Sequence, residues 1–422
     1  MIRTVFLLLF AIFFGVVAEA QWKPNYDESK VPEFKLPDPL KTFSGKKVRS
    51  VKQWEKKRRP EILDYYQQNI YGEVPGKLAI SSVDVLEESS NAYGGKAIRK
   101  QVELSFEKNK QSLHFTILIY LPKTDKKVPV FLGYNFYGNH TITDDVNVLI
   151  STAWVDNNPS FGIVNHQLTE QSRGVRTNRW AIEKMLDAGF GFATIYYGEV
   201  DPDTNDLTDG VQRLFYVDDQ QQPADNEWGS IAAWAWGLSR AMDYFEQDED
   251  IDASKVIVFG HSRLGKTSLW AGANDQRFAG VISNNSGCGG AALFKRQFGE
   301  TIWRINRSFP HWFCDNFKNF NNDEKKLVVD QHELIALVAP RPVYVASAEE
   351  DQWADPKGEF MGAYYAGPVY ELYGKKGIQN DTQPPVNKPI INTVAYHIRS
   401  GVHDVTDFDW EQYINWAQKF IQ

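Results

Sequence analysis

The residues best suited to chemistry lie in the segment KVIVFGHSRLGK, where Ser262 stands between Gly260 and Gly265. An apolar stretch, 255–260, runs into a tight turn, and a helical pattern begins near Lys266. A serine at such an elbow projects its oxygen above a sheet, at a helix N-terminus. Backbone N–H groups and the helix dipole there favour a developing negative charge, which suits acyl transfer. The spacing is G-x-S-x-x-G, with Leu264 where small residues are usual, and the motif alone also fits an ordinary serine in a strand–helix loop. A hydroxyl nucleophile needs a base. Of the eight histidines, His403 has the right place, in the loop SGVHD between a strand and the last amphipathic helix. His397 falls within that strand and should face the core. His332 suits a structural hydrogen bond, and His261, next to the serine, should point away from it. An orienting carboxylate should follow the apolar segment 341–347, where Glu349, Glu350, Asp351 and Asp355 compete. Spacing favours Glu350 or Asp351. Arg263 and Lys266 put two cations in one helix's first turn, where the dipole repels them unless a ligand or carboxylate needs them. Beside the nucleophile, Arg263 would bring a full positive charge to an oxyanion.

These residues require a particular scaffold. The segments 128–136, 191–197, 255–260, 280–283 and 341–347 are continuously apolar, as strands buried on both faces are. Between two of them, residues 230–246 carry Ile231, Trp234, Leu238, Met242 and Phe245 at helical spacing. Strands alternating with helices imply a parallel sheet covered on both sides. Residues 80–121 alternate at period two, as half-buried antiparallel strands do, and a helix is expected around 59–70. The fold class is therefore α/β, an α/β-hydrolase with a mostly parallel sheet sandwiched by helices and an antiparallel N-terminal portion. The chain order serine, acid, histidine agrees with it. Two polar stretches, 138–175 and 374–390, each placed after an apolar strand, are expected to form loops at the site.

Residues 1–20, MIRTVFLLLFAIFFGVVAEA, combine a basic start, an apolar run and small residues before a cleavage point. They read as a signal peptide, with a retained anchor as the competing reading. Residues 21–422 then form a single catalytic domain with an N-terminal arm, exported to the periplasm or secreted. A net charge of −8 without a basic tract argues against nucleic acid. The 13 tryptophans exceed what a core usually needs, and some could stack on sugars. Cys288 and Cys314 could pair in an exported protein. Without a CxxC spacing they do not suggest a metal site, and no cofactor is expected.

The motifs GHSRLGK, NNSGCGGAA, EEDQWADPKGEF and SGVHD together resemble carbohydrate esterase family 15, the glucuronoyl esterases, over nearly the whole chain after the leader. The resemblance implies an α/β-hydrolase fold and cleavage, through an acyl-enzyme on Ser262, of esters linking glucuronoxylan to lignin alcohols. It assigns Ser262 as nucleophile, His403 as base and Arg263 to the oxyanion. Lys266 would hold sugar hydroxyls, and Glu300 and Trp353 the uronate ring. Fungal members carry their acid in a segment that here reads Asn285-Ser286-Gly287-Cys288-Gly289-Gly290, and Asn285 is not an acid. The resemblance to bacterial members places the acid at Asp351. A fungal cysteine pair is replaced by His261 and Asp404. The implied partner is a glucuronoxylan or lignin–carbohydrate ester, the expected state a monomer. An acetylxylan or other carbohydrate esterase is the alternative, and a non-catalytic glycan-binding protein a more distant one. A prolyl-peptidase-type enzyme would need a larger cap than residues 21–125 supply.

Overall fold

The structure, a computed structural model, describes residues 22–217 and 219–421. The expected leader lies outside them. Nine strands form one sheet in the order β1-β2-β3-β5-β4-β6-β7-β8-β9. They are β1 (Ser82–Ala92), β2 (Ala97–Lys108), β3 (Gln111–Pro122), β4 (Val128–Asn135), β5 (Gly191–Tyr196), β6 (Ile251–His261), β7 (Gly280–Asn284), β8 (Val343–Ala348) and β9 (Val394–Arg399). The pairs β1–β2, β2–β3 and β3–β5 are antiparallel. From β5 through β4 to β9 every pair is parallel.

The apolar runs are strands because each face of the parallel part is covered. Val130 and Leu132 of β4, Val256 and Val258 of β6, and Val343 and Val345 of β8 enter one core with Trp234, Leu238 and Leu269. Those come from the helices Ser230–Phe245 and Arg263–Asn274. The intervening residues Phe131, Ile257, Phe259 and Tyr344 enter a second core with Trp410 and Trp416 of the helix Asp407–Phe420. Side chains alternate between faces, so burial on both makes the central positions of these strands mostly apolar. β1, at one edge of the sheet, is largely exposed, and the charges of Asp84, Glu87 and Glu88 suit a strand whose outer side has no partner.

Three details differ from the sequence reading. The nucleophile helix starts at Arg263, three residues before the expected start near Lys266. The stretch 374–390 follows the helix Gly367–Leu372 rather than a strand, and it lies against β9 through Asn387 N–H to Ile398 O (2.8 Å). The helix Arg59–Tyr66 widens into a π turn over Gln67–Tyr71. Among the described residues no helix is long and apolar enough to cross a membrane.

Candidate active site

Ser262 links β6 directly to the helix Arg263–Asn274, with φ 59° and ψ −128°. Such a backbone is costly for a non-glycine residue, on the order of 1–3 kcal/mol, and persists only where the surroundings impose it. They do so here. Ser262 N–H donates to Asn284 O (2.9 Å), while Ser262 O accepts from Gly265 N–H (2.9 Å) and Lys266 N–H (3.2 Å). A Cβ at position 260 would lie 1.8 Å from Leu264 O, so only glycine lets strand and helix meet this closely.

His403 lies in the loop between β9 and the last helix, and its side chain is 41% exposed. Its Nδ1 is 2.6 Å from Asp351 Oδ2, just past β8. A carboxylate at Nδ1 holds the proton there and leaves Nε2 free to accept one. Asp351 is buried, and the same oxygen accepts from Asn285 Nδ2 (2.8 Å). Burial pushes the Asp351 carboxyl up, but the hydrogen bonds from His403 and Asn285 outweigh it and hold it below the usual range. The rival acids are elsewhere. Glu349 and Glu350 are exposed, and Asp355 pairs with Arg296 (2.8 Å) and caps the next helix at Gly358 N–H (2.9 Å).

Several supports have no signature in the sequence. Arg399 pins the His403 loop by donating to the carbonyls of Ser400 (2.9 Å), Val402 (3.0 Å) and Asp404 (2.6 Å). Buried Glu359 accepts from Ser286 N–H (2.6 Å) and Gly287 N–H (3.0 Å), which fixes the turn that presents Asn285. His397 faces the core, between Tyr344 and Asp409 (2.9 Å to each). His332 meets Pro37 O (3.0 Å). His261 does not turn away from the site as expected. Its ring packs 4.5 Å from that of His403, while its Nδ1 pairs with Asn284 Oδ1 (2.6 Å).

The helix that follows Ser262 carries the cations Arg263 and Lys266 in its first turn. Arg263 Nη1 donates to Asp203, and the guanidinium sits 4.8 Å over the ring of Trp312. Burial alone would lower the arginine, yet the Asp203 charge holds it above its ordinary value. Lys266 is buried, and its Nζ donates to Ser286 O and Cys288 O (2.6 Å each) with Glu300 Oε2 at 3.6 Å. An ammonium has three donors. The two carbonyls take two of them, and the third is directed to Glu300 or open to a sugar hydroxyl. Burial pushes the Glu300 carboxyl up, with Lys266 acting against it. Glu300 N–H donates to Trp353 O (3.0 Å), which joins those two residues, and the Trp353 ring meets Trp22 of the N-terminal arm edge-on at 6.0 Å. Cys288 and Cys314 are separate, buried thiols.

The arrangement offers an acylable hydroxyl, a base with an oriented ring and a fixed cation at the head of the nucleophile's helix. A family described as "Glucuronyl esterase, fungi" matches residues 180–374. "Carbohydrate esterase MZ0003", from an unknown prokaryotic organism, is 52% identical over 415 residues, 95% of this chain and 96% of that one. A promiscuous CE15 esterase from a marine bacterial metagenome superposes with a TM-score of 0.89 at 52% identity, covering 94% of this chain and 100% of that one. A glucuronoyl esterase from Solibacter usitatus does so with a TM-score of 0.87 at 46% identity, over 92% of this chain and 99% of that one.

Proposed function

The chain belongs to carbohydrate esterase family 15 and is a carboxylic ester hydrolase, and from that premise we propose that it splits glucuronoyl esters through an acyl-enzyme on Ser262. His403 Nε2 takes the Ser262 proton as the oxygen attacks the ester carbonyl. Asp351 keeps the imidazole oriented and stabilises its cation. The tetrahedral oxyanion is met by N–H groups at the start of the helix and by Arg263. On collapse the C–O bond to the alcohol breaks, and His403 returns the proton to the departing oxygen. Water then attacks the acyl-enzyme by the same route, releasing the uronic acid and restoring Ser262.

One observation carries this reading: the guanidinium of Arg263, fixed at the first position of the nucleophile's helix. A uronate acyl group brings ring oxygens and hydroxyls to the site, and Lys266, Glu300 and Trp353 form a linked polar and aromatic wall suited to them. The natural class in view is the ester between 4-O-methyl-glucuronoyl groups of xylan and lignin alcohols. The signal peptide expected at residues 1–20 is part of this proposal and would put the reaction outside the cytoplasm.

A paired assay on benzyl glucuronate and on acetylated xylan tests the proposal, with Ser262→Ala as control. Turnover of the uronate ester is expected, falling by about 10⁴- to 10⁶-fold in the variant. Release of acetyl groups with none from the uronate ester would instead favour an acetylxylan esterase.

A further inference from the structure

We propose that Asp203 is a positioning residue for the esterase reaction, acting through Arg263. The inference rests on the oxyanion role proposed above for that arginine. A guanidinium at a helix's first residue is repelled by the dipole, so its place near Ser262 must be imposed from outside the helix. Asp203, in the segment after β5, supplies the constraint, and its side chain is only 3% exposed. Its Oδ2 accepts from Arg263 Nη1 and from Tyr197 Oη (3.2 Å). Its Oδ1 pairs with His311 Nε2 (2.8 Å) and accepts from Trp312 Nε1 (2.7 Å). Both oxygens are thus engaged twice, and the carboxylate has no freedom to swing.

Trp312 acts on the arginine in two ways. Its indole N–H fixes Asp203, and its ring face lies under the guanidinium at 4.8 Å. That ring is itself stacked on Phe309, at 3.8 Å and 3° between planes. One hydrogen bond and one stacked face together set the plane of the fork. Among the described residues nothing accepts from the buried Arg263 Nε, while the side chain as a whole stays 25% exposed, so an incoming oxygen would meet the exposed part of the fork. Burial would push the Asp203 carboxyl up, but Arg263 and His311 hold it far below the usual range, so it stays charged wherever the enzyme works. Asp203 is an anion, and its own field opposes an oxyanion. Its contribution is therefore the aim of Arg263 rather than added charge.

Steady-state kinetics on benzyl glucuronate test this, with Arg263→Ala, Asp203→Asn and the double variant. Asp203→Asn is expected to lower kcat about 10- to 100-fold while KM moves less than about threefold, as for loss of a donor used only in the transition state. In the Arg263→Ala background the same change should lower kcat less than about threefold, because the two residues act as a unit. Trp312→Phe keeps a ring face but removes the N–H, and should give a smaller loss with the same dependence on Arg263. It serves where Asp203→Asn does not fold. A loss of equal size with and without Arg263 would overturn the inference and make Asp203 merely structural. Arg263→Ala with near-parental kcat would instead remove the oxyanion reading beneath it.

Discussion

The site holds two carboxylate–cation pairs: Asp351 holds the His403 imidazole, and Asp203 holds the Arg263 guanidinium. Asp351 and His403 pair at 2.6 Å, with the imidazole 41% exposed. Asp203 and Arg263 pair between Tyr197, His311 and the Trp312 face, and the arginine's charge is permanent. The first pair is built from loops after β8 and β9, and the second from a helix terminus and the segment after β5. The same ionic contact thus serves two ends. In the mechanism proposed above the imidazolium forms and vanishes each turnover, and its partner orients a ring that solvent can reach. In that mechanism the guanidinium is only aimed, and its partner is walled in by aromatic groups.

Changing either pair should reveal this division. Asp351→Asn should have the largest effect, about 10⁴-fold on kcat, because an amide at Nδ1 favours the wrong tautomer. Near-full activity would move the acid elsewhere, with Glu350 next to test. Arg263→Lys keeps the charge but loses the planar fork, and kcat should fall about 10- to 100-fold with KM little changed. An unchanged kcat would mean that charge alone suffices on that side. Asn285→Asp sets a second carboxylate beside Asp351, which should raise the pair's titration. The acid limb of the kcat profile should then move up by about one pH unit or more. A limb that stays in place would show that the amide does not contribute to holding Asp351 ionised. The smallest effect concerns stability. Asp351 is held below its ordinary 3.8, so its pairing contributes fully above that value and is lost as pH falls through the lower folded value. The gap in Tm between Asp351→Asn and the parent should narrow as pH falls below about 3.8. A gap that widens in acid would contradict the sign.

The histidine side was the more legible in sequence. A strand, a serine between glycines and a helix are local patterns, and the base follows from chain order. The acid was not settled by spacing, because Glu350 and Asp351 are adjacent and only the exit geometry of β8 buries one and exposes the other. The arginine side was legible only by half. Two cations in a helix's first turn signalled that something must hold them, but the partner lies 60 residues earlier. It sits in DPDTNDLTD, where Asp201, Asp203, Asp206 and Asp209 look alike. No period or motif separates them, and only the fold brings one of them against Trp312. The helix start is hidden for a related reason: Ser262 stands at the N-cap, but its side chain makes no cap bond, and the strained turn rather than capping begins the helix.

The turn at Asn285 bears on how the protein ages. An Asn-Ser dipeptide is prone to spontaneous deamidation, which begins when the following backbone nitrogen attacks the side-chain amide. Here that change would release ammonia through a cyclic imide, which water opens to aspartate or, in greater part, isoaspartate, and either puts a second carboxyl next to Asp351. The attacking nitrogen belongs to Ser286, whose N–H is engaged by Glu359 at 2.6 Å inside the protein. Loosening the Glu359 contact should therefore shorten the working life of stored enzyme, even where freshly made material is fully active.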